Sequence, residues 1–549
     1  MPNTPKTTIY PAKAIITMNR ALPRARAVAV REGRILGVGD LAELKAWGPH
    51  TIDDRFIGRT LMPGLVEGHS HLLEGGVWKY VYTGFFDRRG PDGTLWPGLK
   101  SFDEVVARLR QAETELKTPD EPLFAWGFDP IYFGAARLTT TELDRVSATR
   151  PVVVMHANFH LLNANSVTLK LAAITRDTPI EGVAKDAQGE PTGELQEFAA
   201  MFLVFRVVGN VYFDAGNDEV GMRNMGRVAV RAGVTTATDL VNDLNNNAIS
   251  TLRRVTFDEA YPLRLVLAYR GLMGATESAE DGAARVVKLI GSNAEKLHFG
   301  LVKFVLDGSI QGFTARLRWP GHFNGAPNGI WVVPPQDFVR QFQVFHNAGL
   351  TVHVHTNGDQ ASDVALDTIE TALAAHPRWD HRHTLQHAQL VNASQLRRMA
   401  SMGVAANFFS NHIYYWGEQH AAITVGPERA ARMNPAATAL AAGVRIAIHS
   451  DAPVTPLGPL FTAWCAVNRL TAQGNTLGPN ERISVDAALH AITLGAAYTL
   501  KLDHEIGSIE AGKRADFAVL DGDPFEIKSS ELKDLPVWGT VLGGRVFQA

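Results

Sequence analysis

The stretch Leu61-Met62-Pro63-Gly64-Leu65-Val66-Glu67-Gly68-His69-Ser70-His71 is decisive for the fold of this chain. It is an apolar strand candidate that ends in His-x-His, and side chains two residues apart on a strand point to the same side. His69 and His71 are therefore expected to direct two imidazole rings at one point. Because neutral imidazole binds zinc and related divalent metals well, the stretch predicts a metal site at the end of a buried strand.

Four later strand ends carry residues of the same kind, namely Lys303, the pair His353 and His355, His387 and Asp451. In a parallel (β/α)8 barrel the carboxyl ends of all strands open on one face, so residues far apart in sequence meet there. Imidazole nitrogens and a carboxylate form a ligand set that suits zinc, manganese or iron. His353 is also open to a second interpretation, that of a buried structural residue.

The middle of the chain alternates apolar strands with helical stretches, which favours a parallel sheet, either open or closed into a barrel. The strand candidates are 64–69, 151–156, 233–239, 263–269, 301–306, 351–355, 383–387, 404–409 and 444–449. This is one too many for a TIM (β/α)8 barrel. Because 151–156 lies in the long gap after the first strand, we assign it to an insertion at about 72–230. Such an insertion would cover the catalytic face as a lid.

Both ends of the chain contain short strand candidates without residues of the metal-binding type. They are 14–18, 27–30 and 34–38 near the start, and 515–520, 540–542 and 545–547 near the end. We therefore predict a small β-sandwich domain built from both termini, with residues 1–61 and 505–549 as its two parts. The α/β barrel then occupies 62–504.

The composition sets limits on the partners. Hydrophobic residues make up 46% of the 549 residues, enough for a large globular core. The 53 Lys and Arg residues nearly balance the 56 Asp and Glu residues, which argues against a nucleic-acid or anionic-membrane partner. Cys465 is the only cysteine, and neither a signal peptide nor a long apolar span is recognisable. We expect a cytoplasmic protein that acts on a small molecule.

The predicted ligands also indicate the chemistry. A bound divalent metal lowers the pKa of its water from 15.7 to about 7 and polarises a carbonyl group, so the expected nucleophile is metal-activated hydroxide. We assign catalysis to Asp451 and His387, with Asp451 as the base that passes the water's proton to the leaving nitrogen. An ammonium group repels a metal, so Lys303 fits the set if carbon dioxide carboxylates its amine. The alternative for Lys303 is a structural pairing with Asp307.

The ordered set of motifs resembles the amidohydrolase superfamily, and in detail amidohydrolase family 3, the YtcJ-like branch that includes N-substituted formamide deformylases. The matching stretches are 62–71, 189–197, 233–239, Lys303 with 307–309, His355 with 358–359, 387–389, 450–453 and 507–516. The resemblance implies a metal-dependent (β/α)8 barrel with a terminal β-sandwich. It implies six metal ligands. His69 and His71 would come from the first strand, Lys303 from the fourth, His355 from the fifth, His387 from the sixth and Asp451 from the eighth.

The chain departs from the family pattern at two positions beside the ligands. Gln386 stands where the family usually has glutamate, and His449 where it usually has glycine. The loops that follow the strands are rich in aromatic residues, which predicts a substrate with an aromatic or bulky apolar group. The residues assigned to substrate binding are His160, within a family His-x4-Asn-Ser element, and Trp78, Phe409, Tyr414 and His449.

The first functional hypothesis is therefore a metal-dependent hydrolase of a non-peptide C–N bond, in a linear amide or an N-acyl or N-formyl compound. The second is a deaminase or cyclic-amide hydrolase of the same superfamily. A hypothesis from another class is a catalytically silent metal-binding barrel that serves as a binding protein. We expect one or two divalent ions per chain, zinc first, a carboxylated Lys303 and, from the resemblance, a homodimer.

Overall fold

A computed structural model describes residues 6–118, 120–134, 136–271 and 277–549. Eight parallel strands form one sheet in chain order. They are β1 (Leu65–Glu67), β2 (Val234–Asn242), β3 (Arg264–Arg270), β4 (Leu297–Val305), β5 (Thr351–Thr356), β6 (Thr384–His387), β7 (Ala405–Phe408) and β8 (Ile446–Ile448). A parallel bridge between Ser70 and Ala452 connects β1 to β8 just beyond their ends. The predicted TIM (β/α)8 barrel is confirmed.

Strand β5 shows how the sequence sets the inside and the outside of the barrel. Val352 and Val354 belong to the apolar layer between the strands and the surrounding helices. His353 and His355 alternate with them and therefore point to the opposite, inner side of the sheet. One short strand thus supplies apolar packing on one face and two imidazoles on the other.

Helices follow the barrel strands and cover the outer layer, and most begin at a side-chain cap. Asn245, Ser278 and Asn392 each accept a hydrogen bond from a backbone N–H in the first turn of their helix. The covering helices are Glu219–Arg231, Asn246–Thr256, Ala279–Ile290, Pro335–Asn347, Asp359–Ala375, Ala393–Met402, Ala436–Ala441, Pro459–Asn468 and Val485–His490. Within the described ranges, we find no helix with the length and apolar character that crossing a bilayer requires.

The segment between β1 and β2 forms a sheet of its own. Its six strands are Val81–Tyr82, Leu123–Phe128, Val152–His156, Leu161–Ala164, Val183–Lys185 and Pro191–Gln196. Its helices include Phe102–Glu113, Thr140–Asp144, Ser166–Leu171, Glu197–Val208 and Val211–Ala215. The side chain of Asn158 donates to Ser309 Oγ at 2.9 Å, and Trp416 Nε1 donates to Asp129 at 2.9 Å. The insertion is therefore hydrogen-bonded to the loop after β4 and to the helix Asn411–Gln419 after β7, at the carboxyl end of the barrel.

The two ends of the chain share one further sheet. Its strands are Thr7–Ile16, Arg24–Arg31, Arg34–Gly39, His50–Ile52, Thr60–Pro63, Phe517–Leu520, Val537–Leu542 and Arg545–Gln548. Phe517–Leu520 pairs antiparallel with Thr60–Pro63 and so joins the two termini. A buried ion pair between Arg264 and Asp516 connects this sheet to the barrel. We propose that the chain divides near residues 61 and 505, where these strands give way to the barrel.

A group of buried histidines at the amino ends of β5 and β6 predicts acid lability. His383 Nδ1 accepts from the backbone N–H of Val352 at 3.0 Å, and its Nε2 lies 2.9 Å from His346 Nδ1. Burial first, and then the neighbouring His381, His346 and Arg378, hold the pKa of His383 well below its usual value. The folded state therefore keeps His383 neutral at a pH at which the unfolded chain binds a proton.

Well above about pH 6.5 this histidine is neutral in both states, so its titration does not change the stability with pH. Below that pH, the free energy of unfolding should fall by up to about 1.4 kcal/mol per pH unit for this residue, until the pH reaches its depressed folded-state pKa. Denaturant unfolding between pH 7.5 and 5 would measure the decline. A His383→Gln variant should show a shallower decline, and an identical slope in both proteins would refute the assignment.

Candidate metal centre

The predicted metal ligands meet at the carboxyl end of the barrel. All of them line one small cavity of about 60 Å³ between the barrel and the insertion; they are His69, His71, Lys303, His355, His387 and Asp451. Three larger clefts, of about 580, 660 and 560 Å³, contain none of these residues, and the first two involve the opposite, amino end of the barrel. In TIM barrels that end serves stability and the carboxyl end serves chemistry, so the smaller cavity is the candidate site.

Asp451 lies at the centre of the group. Its Oδ1 is 3.2 Å from His69 Nε2 and 3.4 Å from His71 Nε2, and its Oδ2 is 3.8 Å from His387 Nδ1. The Lys303 amine lies 3.2 Å from His69 Nε2. Two overlapping triads place one ligand atom from each member within 4.8 Å of one another; they are His69, His71 and Asp451, and His69, His387 and His449.

The unpaired polar atoms of this group fit a divalent metal. Among the described residues, His387 Nδ1 and Asp451 Oδ1 are buried without a hydrogen-bond partner. Leaving such an atom unpaired costs about 1–3 kcal/mol, and a metal ion would remove that cost. His355 is placed differently, because its Nδ1 lies 2.9 Å from His387 Nε2 and its Nε2 lies 3.2 Å from the Gly308 carbonyl oxygen.

At three of the four predicted histidine ligands the electrostatics favour the neutral form that metal binding needs, whereas at His71 the effect of burial is outweighed by hydrogen bonds to Asp239 and Asp451, which raise the pKa. Burial, followed by the charges of neighbouring groups, holds the pKa values of His69, His355 and His387 well below the usual value, so these rings are neutral. Burial lowers the pKa of Lys303 to about 7, against the opposing charge of Asp451. Near neutral pH a substantial fraction of Lys303 is therefore free amine, the form that reacts with carbon dioxide.

Gln386 holds His69 in the orientation that a ligand needs. His69 Nδ1 donates to Gln386 Oε1 at 2.7 Å, which leaves the Nε2 lone pair directed at the cavity. The Gln386 amide donates in turn to His353 Nδ1 at 2.7 Å, and His353 Nε2 donates to the Thr499 carbonyl at 3.0 Å. His353 is thus a structural support behind the ligands. A glutamate at position 386 would have no N–H to donate to His353 Nδ1. The glutamine found here therefore fits its neighbour His353.

Three further carboxylates support the cluster. Glu67 accepts from the backbone and hydroxyl of Ser450 at 3.1 and 2.8 Å, next to Asp451. Asp239 lies 3.6 Å from His71 Nδ1. Asp307 accepts from the backbone N–H groups of 316, 357 and 358 at 2.8 to 3.0 Å and lies 3.7 Å from His355. Asp307 therefore orders the loop after β5, whereas the nearest polar contact of Lys303 is His69.

The structure places the residues predicted to bind substrate in different surroundings. His160 lines the cavity. The His449 ring stacks on His69 with centroids 4.5 Å apart, and the Phe409 ring stacks on His449 with centroids 5.1 Å apart. Trp78 packs on Trp126 inside the insertion, and Tyr414 packs on Phe461 beside the helix Pro459–Asn468. Of these five residues, His160 alone borders the cavity, while His449 and Phe409 stack behind the ligand His69.

Other apolar side chains form the cavity wall. They are Leu73, Phe159, Phe198, Phe213, Val241, Val305, Pro453 and Val454. Three of these are phenylalanines of the insertion. Phe159 precedes His160, Phe198 follows Glu197, and the Phe213 ring packs on Phe198. An aromatic wall was expected from the sequence, at residues that include Trp78 of the insertion and Tyr414 after β7, but the three phenylalanines that form it were not among them. The signal that could have located two of them is their position beside the family motifs.

Comparison with known proteins identifies the family. A model of the Amidohydro_3 amidohydrolase family matches residues 57–548. Protein LONG AFTER FAR-RED 3 of Arabidopsis thaliana is 28% identical, over 97% of this chain and 90% of its own length. Putative amidohydrolase YtcJ of Bacillus subtilis is also 28% identical, over 97% of both chains. The N-substituted formamide deformylase of Arthrobacter pascens is 26% identical, over 95% of this chain and 94% of its own length.

Among solved structures, an uncharacterized metal-dependent hydrolase from Pyrococcus horikoshii superposes with a TM-score of 0.70. It covers 95% of this chain and 99% of its own, at 22% identity, and supports the fold. The family match spans nearly the whole chain and includes every strand that carries a predicted ligand. The chain therefore belongs to the Amidohydro_3 amidohydrolase family, and the protein is a metal-dependent hydrolase of carbon–nitrogen bonds.

Proposed function

We propose that the protein hydrolyses a linear amide, an N-acyl or N-formyl compound, that carries an apolar or aromatic group. The observation that carries this proposal is the single cavity in which the ligand cluster meets a wall of phenylalanine, leucine and valine side chains. The relative from Arthrobacter pascens, which by its name deformylates N-substituted formamides, is consistent with such a substrate. Ligand sites are typically lined by apolar and aromatic side chains with a few polar groups that fix the orientation, as this cavity is.

The residues that would hold the metal are His69, His71, Lys303, His355, His387 and Asp451, with Lys303 as a carbamate and zinc as the proposed ion. When bound, the metal polarises the scissile carbonyl and lowers the pKa of a water molecule. Asp451, whose Oδ1 lies without a hydrogen-bond partner among the described residues, takes the proton of the attacking water and delivers it to the leaving nitrogen. We propose that His387, beside Asp451, faces the reacting carbonyl group.

The cavity wall makes a prediction about substrate charge. Among the described residues that border the cavity, Lys303 is the only lysine or arginine, and it faces His69. A substrate carboxylate held against the apolar wall, away from the metal ligands, would therefore be buried without a lysine or arginine partner, which costs several kcal/mol. We expect N-(2-phenylethyl)formamide and N-formylphenylalaninamide to be hydrolysed. For N-formylphenylalanine we expect a kcat/KM that is at least about 100-fold lower.

These three compounds form a matched set, because the last two differ only in an amide against a carboxylate. Formate release, followed for each compound, gives the comparison. Equal or faster hydrolysis of N-formylphenylalanine would contradict the substrate class. A parallel panel contains amino-heterocycles and cyclic amides. If none of the three formyl compounds is cleaved, while an amino-heterocycle releases ammonia or a cyclic amide is opened, the deaminase or cyclic-amide hypothesis replaces the linear-amide proposal.

A further inference from the structure

A histidine and a glutamate of the insertion form a hydrogen-bonded pair at the cavity. His160 Nδ1 lies 2.8 Å from Glu197 Oε2, and the backbone N–H of Glu197 donates to the His160 carbonyl at 2.7 Å. The His160 ring packs against His355 with centroids 5.2 Å apart and borders the cavity. Because the carboxylate can only accept, His160 Nδ1 carries the proton and donates it, and Nε2 is the ring nitrogen left for a bound molecule.

The backbone at Glu197 is strained in a way that favours function over stability. Its φ is +61°, in the left-handed region, which costs a non-glycine residue about 1–2 kcal/mol. The side chain is only 3% exposed, and among the described residues its Oε1 has no hydrogen-bond partner. A buried, half-satisfied carboxylate on strained backbone is a poor way to stabilise a helix end. It is an effective way to fix one imidazole ring.

The barrel is shaped to admit this carboxylate. A β-carbon on Gly308, directly after Asp307, would lie 2.0 Å from Thr314 Oγ1 and 2.1 Å from Glu197 Oε1. The Gly308 carbonyl lies 3.2 Å from His355 Nε2. Glycine at this position therefore lets the insertion bring Glu197 and His160 against the predicted ligand of β5.

We infer that His160 is a further catalytic residue, oriented by Glu197 as a positioning residue, and that it contacts the nitrogen of the scissile bond. This inference rests on the proposed amide hydrolysis. An amide offers two polar atoms, and the metal would engage the oxygen, so the nitrogen is the atom left for a contact from the insertion. Fixing the ring through its second nitrogen is how carboxylate–histidine pairs act in other active sites.

The test is a double-mutant cycle with His160→Ala, Glu197→Gly and the combined variant, in metal-loaded protein with N-(2-phenylethyl)formamide. Each single change should lower kcat/KM about 10- to 100-fold. The combined variant should lie within about threefold of the worse single variant, because the two residues act as one unit. Glycine keeps the left-handed backbone, so Glu197→Gly should melt at or above the wild-type temperature. Lys501→Gly is the matched control, since Lys501 has φ +58° and lies outside the cavity.

A structural role for the pair predicts a different pattern. The inference would be overturned if the kcat/KM loss of the combined variant equalled the product of the two single losses. It would also be overturned if the melting temperature of Glu197→Gly fell together with its activity. If wild-type protein cleaves no formamide, the proposed function fails. Calorimetric binding of the same formamide then tests whether the pair of His160 and Glu197 contacts a bound amide. Binding that weakens about tenfold or more in both single variants supports it, and equal binding in all proteins, or no binding to the wild type, rejects it.

Discussion

Replacing Asp451 by asparagine is expected to lower kcat by about 100- to 10,000-fold while the protein keeps its metal and its fold. Asparagine has nearly the same shape and retains an oxygen that can face the histidines at 3.2 and 3.4 Å from Oδ1. It cannot accept a proton from water. Steady-state hydrolysis of a formamide, together with elemental analysis of the same sample, measures both effects.

Asp503→Asn is the matched control, because Asp503 pairs with Arg382 and lies outside the cavity. It should keep wild-type turnover. Full turnover of Asp451→Asn would show that another group takes the proton from water. Loss of the metal together with activity would show that the charge of Asp451 is needed for binding, and the role in proton transfer would then lose its support.

Replacing Lys303 by methionine is expected to lower the metal content and to reduce kcat by about 1,000-fold or more. Methionine fills the same buried volume without the amine that forms the carbamate. A metal supplies several kcal/mol of transition-state stabilisation, and each 1.36 kcal/mol is a factor of ten in rate. Lys501→Met serves as the control, since that lysine is far from the cavity-lining set.

The carbamate itself can be observed directly. Wild-type protein equilibrated with carbon-13 bicarbonate should give a carbamate resonance that is absent from the Lys303→Met variant. If the variant keeps both its metal and its activity, Lys303 is a structural residue, as the alternative interpretation of the sequence held. The low pKa of Lys303, about 7, makes the reaction with carbon dioxide feasible near neutral pH.

The barrel and its cluster of histidines could be predicted because they depend on local patterns. His-x-His on an apolar strand fixes which side chains share a face, and a parallel barrel brings strand ends together. The same rule fails to separate His353 from His355, since both point inward and only depth in the barrel distinguishes them. In the structure His353 bonds to Gln386 and Thr499, one layer behind the cavity.

Other parts of the site depend on contacts that no local pattern reveals. Glu67 and Asp307 act through backbone and hydroxyl groups that lie far away in sequence or in a neighbouring loop. Trp78 and Tyr414 follow strand or helix ends as expected for a pocket wall, but their rings turn into apolar packing elsewhere. The aromatic wall comes from the insertion, whose sequence carries no periodicity that shows which residues face the barrel.

We expect the cluster around Asp451 to bind divalent metal for hydrolysis. The metal content of protein purified without added metal or chelator, determined by elemental mass spectrometry, tests this directly. We predict about one to two divalent ions per chain, zinc foremost, with two indicating that Lys303 is carboxylated. No bound metal, and no binding after zinc or manganese is added, would contradict it.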